Sequence, residues 1–393
     1  MLKVAGRSVR LWGEPTEGHG AMTEHHTSSD TSAGLGGLAG ATVLVTGGAG
    51  LIGSRIVNRL RAQGARPIAL CRMDAYPPVI YQELFGVDAS QVVTGDIRDA
   101  ALVTRLMCKA DFVIHAAALA DVAACTRLPQ DAIGHNVSGT QTVLSAAAAS
   151  RRLKRLVFVS SASVYGNGNP DDWAGPEDEH RSTRELLGSV YGQMPPRFGE
   201  ERRLRPLSVY ANTKAFGEVQ TDLLLRPAGV SYSVVRYFSV YGQPQVIKPG
   251  SHSWVVAWFA ARAAAGLPLH LNGGGHHVRD FVHVDDIAEG TLRALTEPAA
   301  DRRTVNIGTG RPTTIRTVAD LVSRHFPGTR VVETPMPPGD PLGGCAGTTL
   351  MQRLLGWQPA ITIEDGVARY VRWMKSTPAA LPGWLRQETG QRA

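Results

Sequence analysis

Long apolar runs are missing from this chain of 393 residues. No stretch approaches the roughly 18 residues that cross a bilayer as a helix, so a membrane span is not expected. Cysteine is scarce too. The four cysteines (Cys71, Cys108, Cys125, Cys345) show neither CxxC nor Cys/His spacing, which argues against a structural metal and a disulfide framework and fits a reducing cytoplasm. No basic cluster interleaved with aromatics suggests nucleic acid; Arg151-Arg152-Leu153-Lys154-Arg155 reads as a solvated helix end before a strand. Residues 1–40 lack an apolar stretch of signal-peptide type and are rich in Gly, Ser, Thr and His, as in a disordered extension, with Met22 an alternative start. What remains is a soluble globular composition, 43% hydrophobic and 19% charged, whose net charge of +7 suits an anionic small molecule.

Lysine is scarce as well, which makes one pair informative. Tyr210 and Lys214 lie four residues apart in a helix-like stretch opening at Ser208, so both side chains share a face. With six lysines and nine tyrosines in the chain, chance would give this spacing only about 0.14 times. A cation beside a phenol favours the phenolate, and lowering a tyrosine by roughly 2 to 3 units needs only about 3 to 4 kcal/mol. The pair is therefore expected to act as a base, with a hydroxyl such as Ser161 holding the substrate oxygen.

A glycine loop lies 160 residues upstream. Ala41-Thr-Val-Leu-Val-Thr46 reads as a buried strand, Gly47-Gly48-Ala49-Gly50-Leu51-Ile52-Gly53 follows, and residues 54–61 have helical periodicity. Strand, glycine loop and helix in that order form the context in which glycines let a backbone approach a pyrophosphate at a helix N-terminus. Beyond it, strands are predicted near 67–71, 91–94, 111–115, 155–159, 231–236 and 303–307. Helices are predicted near 50–63, 99–108, 130–150, 208–225, 284–296 and 314–326. Apolar strands alternating with helices predict an α/β fold, a Rossmann-type doubly wound parallel sheet with ligands beyond the strands' carboxyl ends. Residues 41–242, with about 281–310, are assigned to this dinucleotide-binding domain, which carries an insertion at about 167–207. Residues 243–280 and 311–380 are assigned to a smaller substrate-binding domain and 381–393 to a tail.

These motifs together resemble the extended short-chain dehydrogenases, and within them the NAD-dependent epimerase/dehydratase family that acts on nucleotide sugars. The likeness covers about 41–375. Thr46-Gly-Gly-Ala-Gly-Leu-Ile-Gly53 resembles the cofactor fingerprint, Gly95-Asp96-Ile97-Arg98-Asp99 the adenine-contacting turn, and Asn136-Val-Ser-Gly-Thr140 the helix-kinking Asn motif. Ser160-Ser-Ala-Ser-Val-Tyr-Gly166 is similar to the serine loop, and Tyr210 and Lys214 match the active-site pair. Arg236-Tyr-Phe-Ser-Val-Tyr-Gly242, Arg279-Asp-Phe-Val-His-Val-Asp-Asp286 and Asn306-Ile-Gly-Thr-Gly310 match downstream segments.

The resemblance implies catalytic roles for Ser161, Tyr210 and Lys214. It places NAD(P) on Gly47, Gly50, Leu51, Ile52 and Gly53, with Arg72, Asp96 and Ile97 at the adenosine end. Ala116, Ala117, Ala118, Asn136, Ser160 and Tyr237, together with Tyr210 and Lys214, would complete the cofactor site. Ser161, Ser163, Ser239, Arg279 and Asp340 would contact a nucleotide-diphosphate sugar, Arg279 pairing with its phosphates. The implied chemistry is transient oxidation at C4 and return of the hydride to the opposite face, in a homodimer. Dehydratases of the family carry an Asp-Glu pair after the catalytic hydroxyl; here Ala162 and Ser163 stand there, so dehydration is disfavoured.

The chain departs from the pattern in four places. Cys71-Arg72 replaces the acidic residue that bonds the adenosine ribose, and an arginine there leans toward NADP, although Asp74 is within reach. Ser239 stands for the usual Asn and Pro337 for the usual Arg, leaving substrate identity open, and the segment between Gly166 and Tyr210 is longer than in typical relatives. An NADPH-dependent ketosugar reductase is the alternative reading. A catalytically silent dinucleotide sensor is a third, opposed by the presence of Ser161, Tyr210 and Lys214 together.

Overall fold

The computed structural model describes residues 37–87, 89–167, 185–186, 188–190, 196–249, 254–336 and 343–387. Most of the 167–207 insertion and the expected contact Asp340 therefore lie outside the described residues. The first strand, β1 (Thr42–Thr46), runs into the glycine loop and then α1 (Leu51–Ala62), followed by β2 (Arg66–Cys71). Ile56, Val57 and Leu60 of α1 are buried at helical spacing, while Arg59 and Arg61 occupy its last turn, where cations complement the helix dipole. The chain continues through β3 (Val92–Thr94), α2 (Ala100–Met107), β4 (Phe112–His115), α3 (Val122–Arg127), α4 (Gly139–Ala149) and β5 (Arg155–Ser161). Then come α5 (Val209–Leu225), β6 (Ser231–Tyr237), α6 (Val255–Ala264), α7 (Val284–Thr296) and β7 (Arg303–Ile307), before α8 (Ile315–Ser323), α9 (Thr349–Leu355) and α10 (Ile363–Ser376).

Seven strands form one parallel sheet in the order β3-β2-β1-β4-β5-β6-β7. Its apolar strands are explained by cover on both faces. Val43 and Val45 point into a core with Ile56 and Leu60 of α1 and Ile287, Leu292 and Leu295 of α7. Leu44, between them, points into the opposite core with Leu102, Val143, Leu144 and Leu225. Val157 and Val159 against Leu156 and Phe158 repeat the alternation on β5. The strand order reverses at β1, between β4 and β2, which is where such sheets open a ligand crevice.

A third core joins α6, α8 and α10 through Phe259, Val318, Val322, Val367, Tyr370 and Met374. Helices α3, α6, α9 and α10 were not among the elements predicted from sequence. For α10 the signal was there: Val367, Tyr370, Val371 and Met374 recur at helical spacing, after Thr362 whose side chain caps the Asp365 N–H. Leu38, assigned to the disordered extension, is fully buried, and Gly40 N–H bonds the Gly64 carbonyl. The helix predicted at 130–150 is broken by a wide, π-type stretch at Ile133–Ser138.

Close packing of α5 on β5 yields a stability prediction. A Cβ on Gly217 would lie 2.2 Å from Cζ of the buried Phe158 ring. Gly217→Ala should cost about 1–3 kcal/mol of overpacking against a gain of about 1 kcal/mol in helix propensity. Urea unfolding should therefore show a net loss of stability.

Candidate functional site

At the end of β1 the chain turns through Gly47 at φ +72°, where an added Cβ would stand 3.0 Å from the Ala117 backbone. A Cβ at Gly53 would lie 2.1 Å from the Gly47 carbonyl oxygen, so the first turn of α1 is seated directly on the loop. Gly50 caps α1 without a side-chain bond, and the first turn carries no acidic residue. Its N–H groups are thus left for an anion. Cradle and donor set fit a dinucleotide diphosphate.

The floor beside the loop is held by neutral hydrogen bonds. Ala117 N–H donates to Thr46 Oγ1 (3.2 Å), and the His115 ring is hydrogen-bonded between two hydroxyls, Nδ1 to Thr46 Oγ1 (2.7 Å) and Nε2 to Thr140 Oγ1 (3.0 Å). Burial, with the Lys214 charge adding to it, pushes His115 down to about 3 and keeps it neutral.

Ser161, Tyr210 and Lys214 are brought together at the carboxyl end of β5. Ser208 starts α5 by accepting the Ala211 N–H (3.1 Å), which sets Tyr210 in the first turn and Lys214 one turn on. Ser161 Oγ accepts from the Ser163 N–H (3.2 Å) and hydroxyl (3.0 Å), leaving its own proton for the Tyr210 oxygen, with which it is hydrogen-bonded. The expected depression of Tyr210 by Lys214 is corrected here. Burial pushes the phenol up to about 12; the Ser161 bond opposes this and Cys125 adds to it. The Lys214 ammonium donates to the Val159 carbonyl (2.8 Å) and stands 6.0 Å from the centre of the Tyr210 ring; the phenol answers to burial, Ser161 and Cys125 instead.

Other predicted contacts divide into those that face the crevice and those engaged within the protein. Ala116, Ala117 and Ala118 follow β4 and keep partial exposure beside the glycine loop. Asn136 ties the loop after β4 to α5. Its Oδ1 accepts from Leu119 N–H (2.8 Å), and both Nδ2 donors are used, on the Leu119 carbonyl and Thr213 Oγ1 (3.1 Å each). The Tyr237 hydroxyl bonds Thr291 Oγ1 in the core (2.6 Å), and the buried Ser160 hydroxyl donates to Glu218.

At the adenosine end, Arg72 donates to Asp74 (2.9 Å) and contacts His135, with Asp96 3.9 Å away. Asp96 is itself bonded by Arg98 through the backbone N–H (2.8 Å) and guanidinium (2.7 Å), and Ile97 packs on Gly139. The lean toward NADP finds no support in this arrangement, because a 2′-phosphate on Arg72 would meet two carboxylates. Toward the third core, Ser239 N–H bonds the Asp280 carbonyl (2.8 Å), which places Ser239 beside Arg279. The carboxylates near Arg279 in sequence are committed elsewhere: Asp280 accepts from Thr309, Gly310 and Ala346, and Asp285 pairs with Arg55.

Sequence reasoning missed the network behind the serine loop. Arg236 on β6 bonds Glu218 on α5 in bidentate fashion (2.9 and 2.7 Å), both nearly fully buried. Arg236 also donates to the Tyr165 hydroxyl (2.8 Å), which donates to Asn306 Oδ1 (2.7 Å). A glutamate four residues beyond Lys214, on the same helix face, was the available signal.

Comparisons with known proteins agree with this geometry. Residues 43–188 and 180–308 match the family described as the NAD dependent epimerase/dehydratase family. A putative UDP-glucose 4-epimerase of Methanocaldococcus jannaschii is 29% identical over 346 residues, covering 85% of this chain and 98% of that protein. A dTDP-glucose 4,6-dehydratase of Mycolicibacterium smegmatis is 30% identical, covering 85% and 93%. The crystal structure of Thermus thermophilus UDP-glucose 4-epimerase in complex with NAD superposes with a TM-score of 0.69 at 29% identity, over 85% of this chain and 99% of that one.

Burial holds Lys214 down at about 8, against the pull of Cys125 and Glu218. The unfolded chain keeps that proton up to about 10.4, so the penalty for the buried charge is present below pH 8 and fades as pH rises toward 10.4. In ligand-free protein, Lys214→Met is expected to be more stable than the parent at pH 7 by up to about 3 kcal/mol. The gap should close in urea titrations as the alkaline limit is approached.

Proposed function

The chain belongs to the NAD dependent epimerase/dehydratase family, and on that premise we propose that it is a nucleotide-sugar epimerase acting at C4. The observation that carries this reading is the assembly of Ser161, Tyr210 and Lys214 beside a glycine cradle at the carboxyl ends of β1, β4 and β5. Tyr210 takes the proton of the C4 hydroxyl and gives one back, Ser161 holds the oxygen through both changes, and Lys214 fixes the floor of the site through Val159. NAD would supply hydride acceptance and return at that carbon and, in its oxidised form, the positive charge that offsets the burial of Tyr210 and lets the phenol give up its proton. NAD rather than NADP is supported by the pairing of Arg72 with Asp74. Arg279 and Ser239 serve the substrate diphosphate, and UDP-sugars are the first class to test, since the similar epimerases carry that nucleotide in their names.

The likeness to a dehydratase does not extend to the acid that dehydration needs: Ala162 and Ser163 follow Ser161, and the Ser163 hydroxyl is committed to Ser161. A homodimer is supported by an apolar stripe on α5, where Phe216, Val219 and Leu223 are exposed at i, i+3 and i+7. Among the described residues no helix is long and apolar enough to cross a membrane. Free cysteines throughout suit the cytoplasm.

Incubation with UDP-, GDP- and dTDP-sugars, followed by proton NMR, should show interconversion of C4 epimers with no lasting change in nicotinamide absorbance. Stoichiometric consumption of NADPH with a keto sugar would instead make the protein a reductase. Tyr210→Phe should lower turnover by about 10³-fold or more with NAD still bound, and Ser161→Ala by about 10²-fold. Val219→Glu combined with Leu223→Glu should give monomers in light scattering.

A further inference from the structure

Lys248 lies on the segment between β6 and α6. Its ammonium is 4.1 Å from the centre of the Tyr76 ring and 5.9 Å from that of Trp254. Tyr76 is fixed in turn by edge-on contacts with Tyr81 and Phe85. Val246, two residues before Lys248, packs in the same cluster, and so does Ala49 of the glycine loop. The segment and the glycine loop that opens α1 therefore share one apolar cluster, and Lys248 follows that cluster by two residues.

This cation has no carboxylate of its own. Burial lowers its affinity for a proton, while Asp121 and Asp74 act on it from a distance. Asp121 is committed to capping α3 through the Ala124 N–H (2.8 Å), and Asp74 to Arg72. No described acidic residue makes an ion pair with Lys248. Of the arginines of α1, Arg55 pairs with Asp285 (3.2 Å), Arg59 with Glu289 (2.8 Å), and Arg61 lies in the last turn. A diphosphate on the loop would thus receive backbone N–H groups but no side-chain cation from β1 or from the first turns of α1.

We propose that Lys248 is the residue that closes over the diphosphate of the dinucleotide from the side opposite the glycine loop, an inference resting on the reading that NAD binds there. The aromatic box holds the amine partly out of water, so that a diphosphate is its natural counter-charge and the two nearby carboxylates are screened.

Calorimetric titration of cofactor-stripped wild type, Lys248→Met and Lys248→Arg with NAD, ADP, adenosine and UDP tests this. Lys248→Met should weaken NAD and ADP by about 10- to 100-fold and leave adenosine, which lacks phosphate, unchanged. Lys248→Arg should retain most of the NAD affinity, separating charge from folding. Unchanged NAD binding by Lys248→Met overturns the proposal, as does a loss confined to UDP, which would assign the lysine to the substrate's diphosphate. Failure of the wild type itself to bind NAD would instead remove the underlying reading of the glycine loop.

Discussion

The buried ion pair between Arg236 and Glu218 sets the relation on which the reactive groups depend. It joins β6 to α5 one turn beyond Lys214, and Glu218 also receives the hydroxyl of Ser160, next to Ser161. Burying both charges costs several kcal/mol each, and a pair so placed gives little net stability. What it fixes is rotation. With Glu218 clamped, α5 cannot turn about its axis, and Tyr210 and Lys214 are held toward the Ser161 end of β5. Tyr165 and Asn306 carry the same constraint to β7, so the serine loop, the base and the edge of the sheet move as one unit.

Around that frame, the site keeps most of its polar groups uncharged or internally satisfied. His115 stays neutral between two threonines, Asn136 spends both amide donors on the protein, and Asp280 is wrapped by N–H groups from three residues. A crevice prepared in this way presents few stray charges to a negatively charged ligand. Arg279 and Lys248, proposed above to meet the substrate and the cofactor, both follow β6 in sequence, whereas the glycine loop contributes backbone alone. In that proposal two parts of the chain remote in sequence share the binding of anions.

Much of this was legible from residues alone, for local reasons. A glycine loop between an apolar strand and a helix, and a Tyr-Lys pair at helical spacing, are short-range patterns, and alternation of strands and helices predicts a parallel sheet without any knowledge of contacts. What escaped depends on side chains meeting across elements or on the loss of water. Spacing places Tyr210 and Lys214 on one face, but it cannot say that the amine turns to the Val159 carbonyl and leaves the phenol pushed up by burial. Tyr237 and Ser160 sit in motifs of the right kind yet direct their hydroxyls into the core. Arg236 and Glu218 are 18 residues apart on different elements, a separation at which no periodicity speaks. The helix α10 had a clear amphipathic pattern and needed only its threonine cap to be read.

The edge position of β7 has a consequence for synthesis on the ribosome. Residues 303–307 complete a sheet whose first strand begins at residue 42, and between β6 and β7 the chain leaves to build α6 and α7. Until residues 303–307 have emerged, β6, paired with β5 on one side, is a border strand whose other edge is open to pairing with other nascent chains. The exposure of that edge during synthesis is set by topology, independent of how stable the finished molecule is.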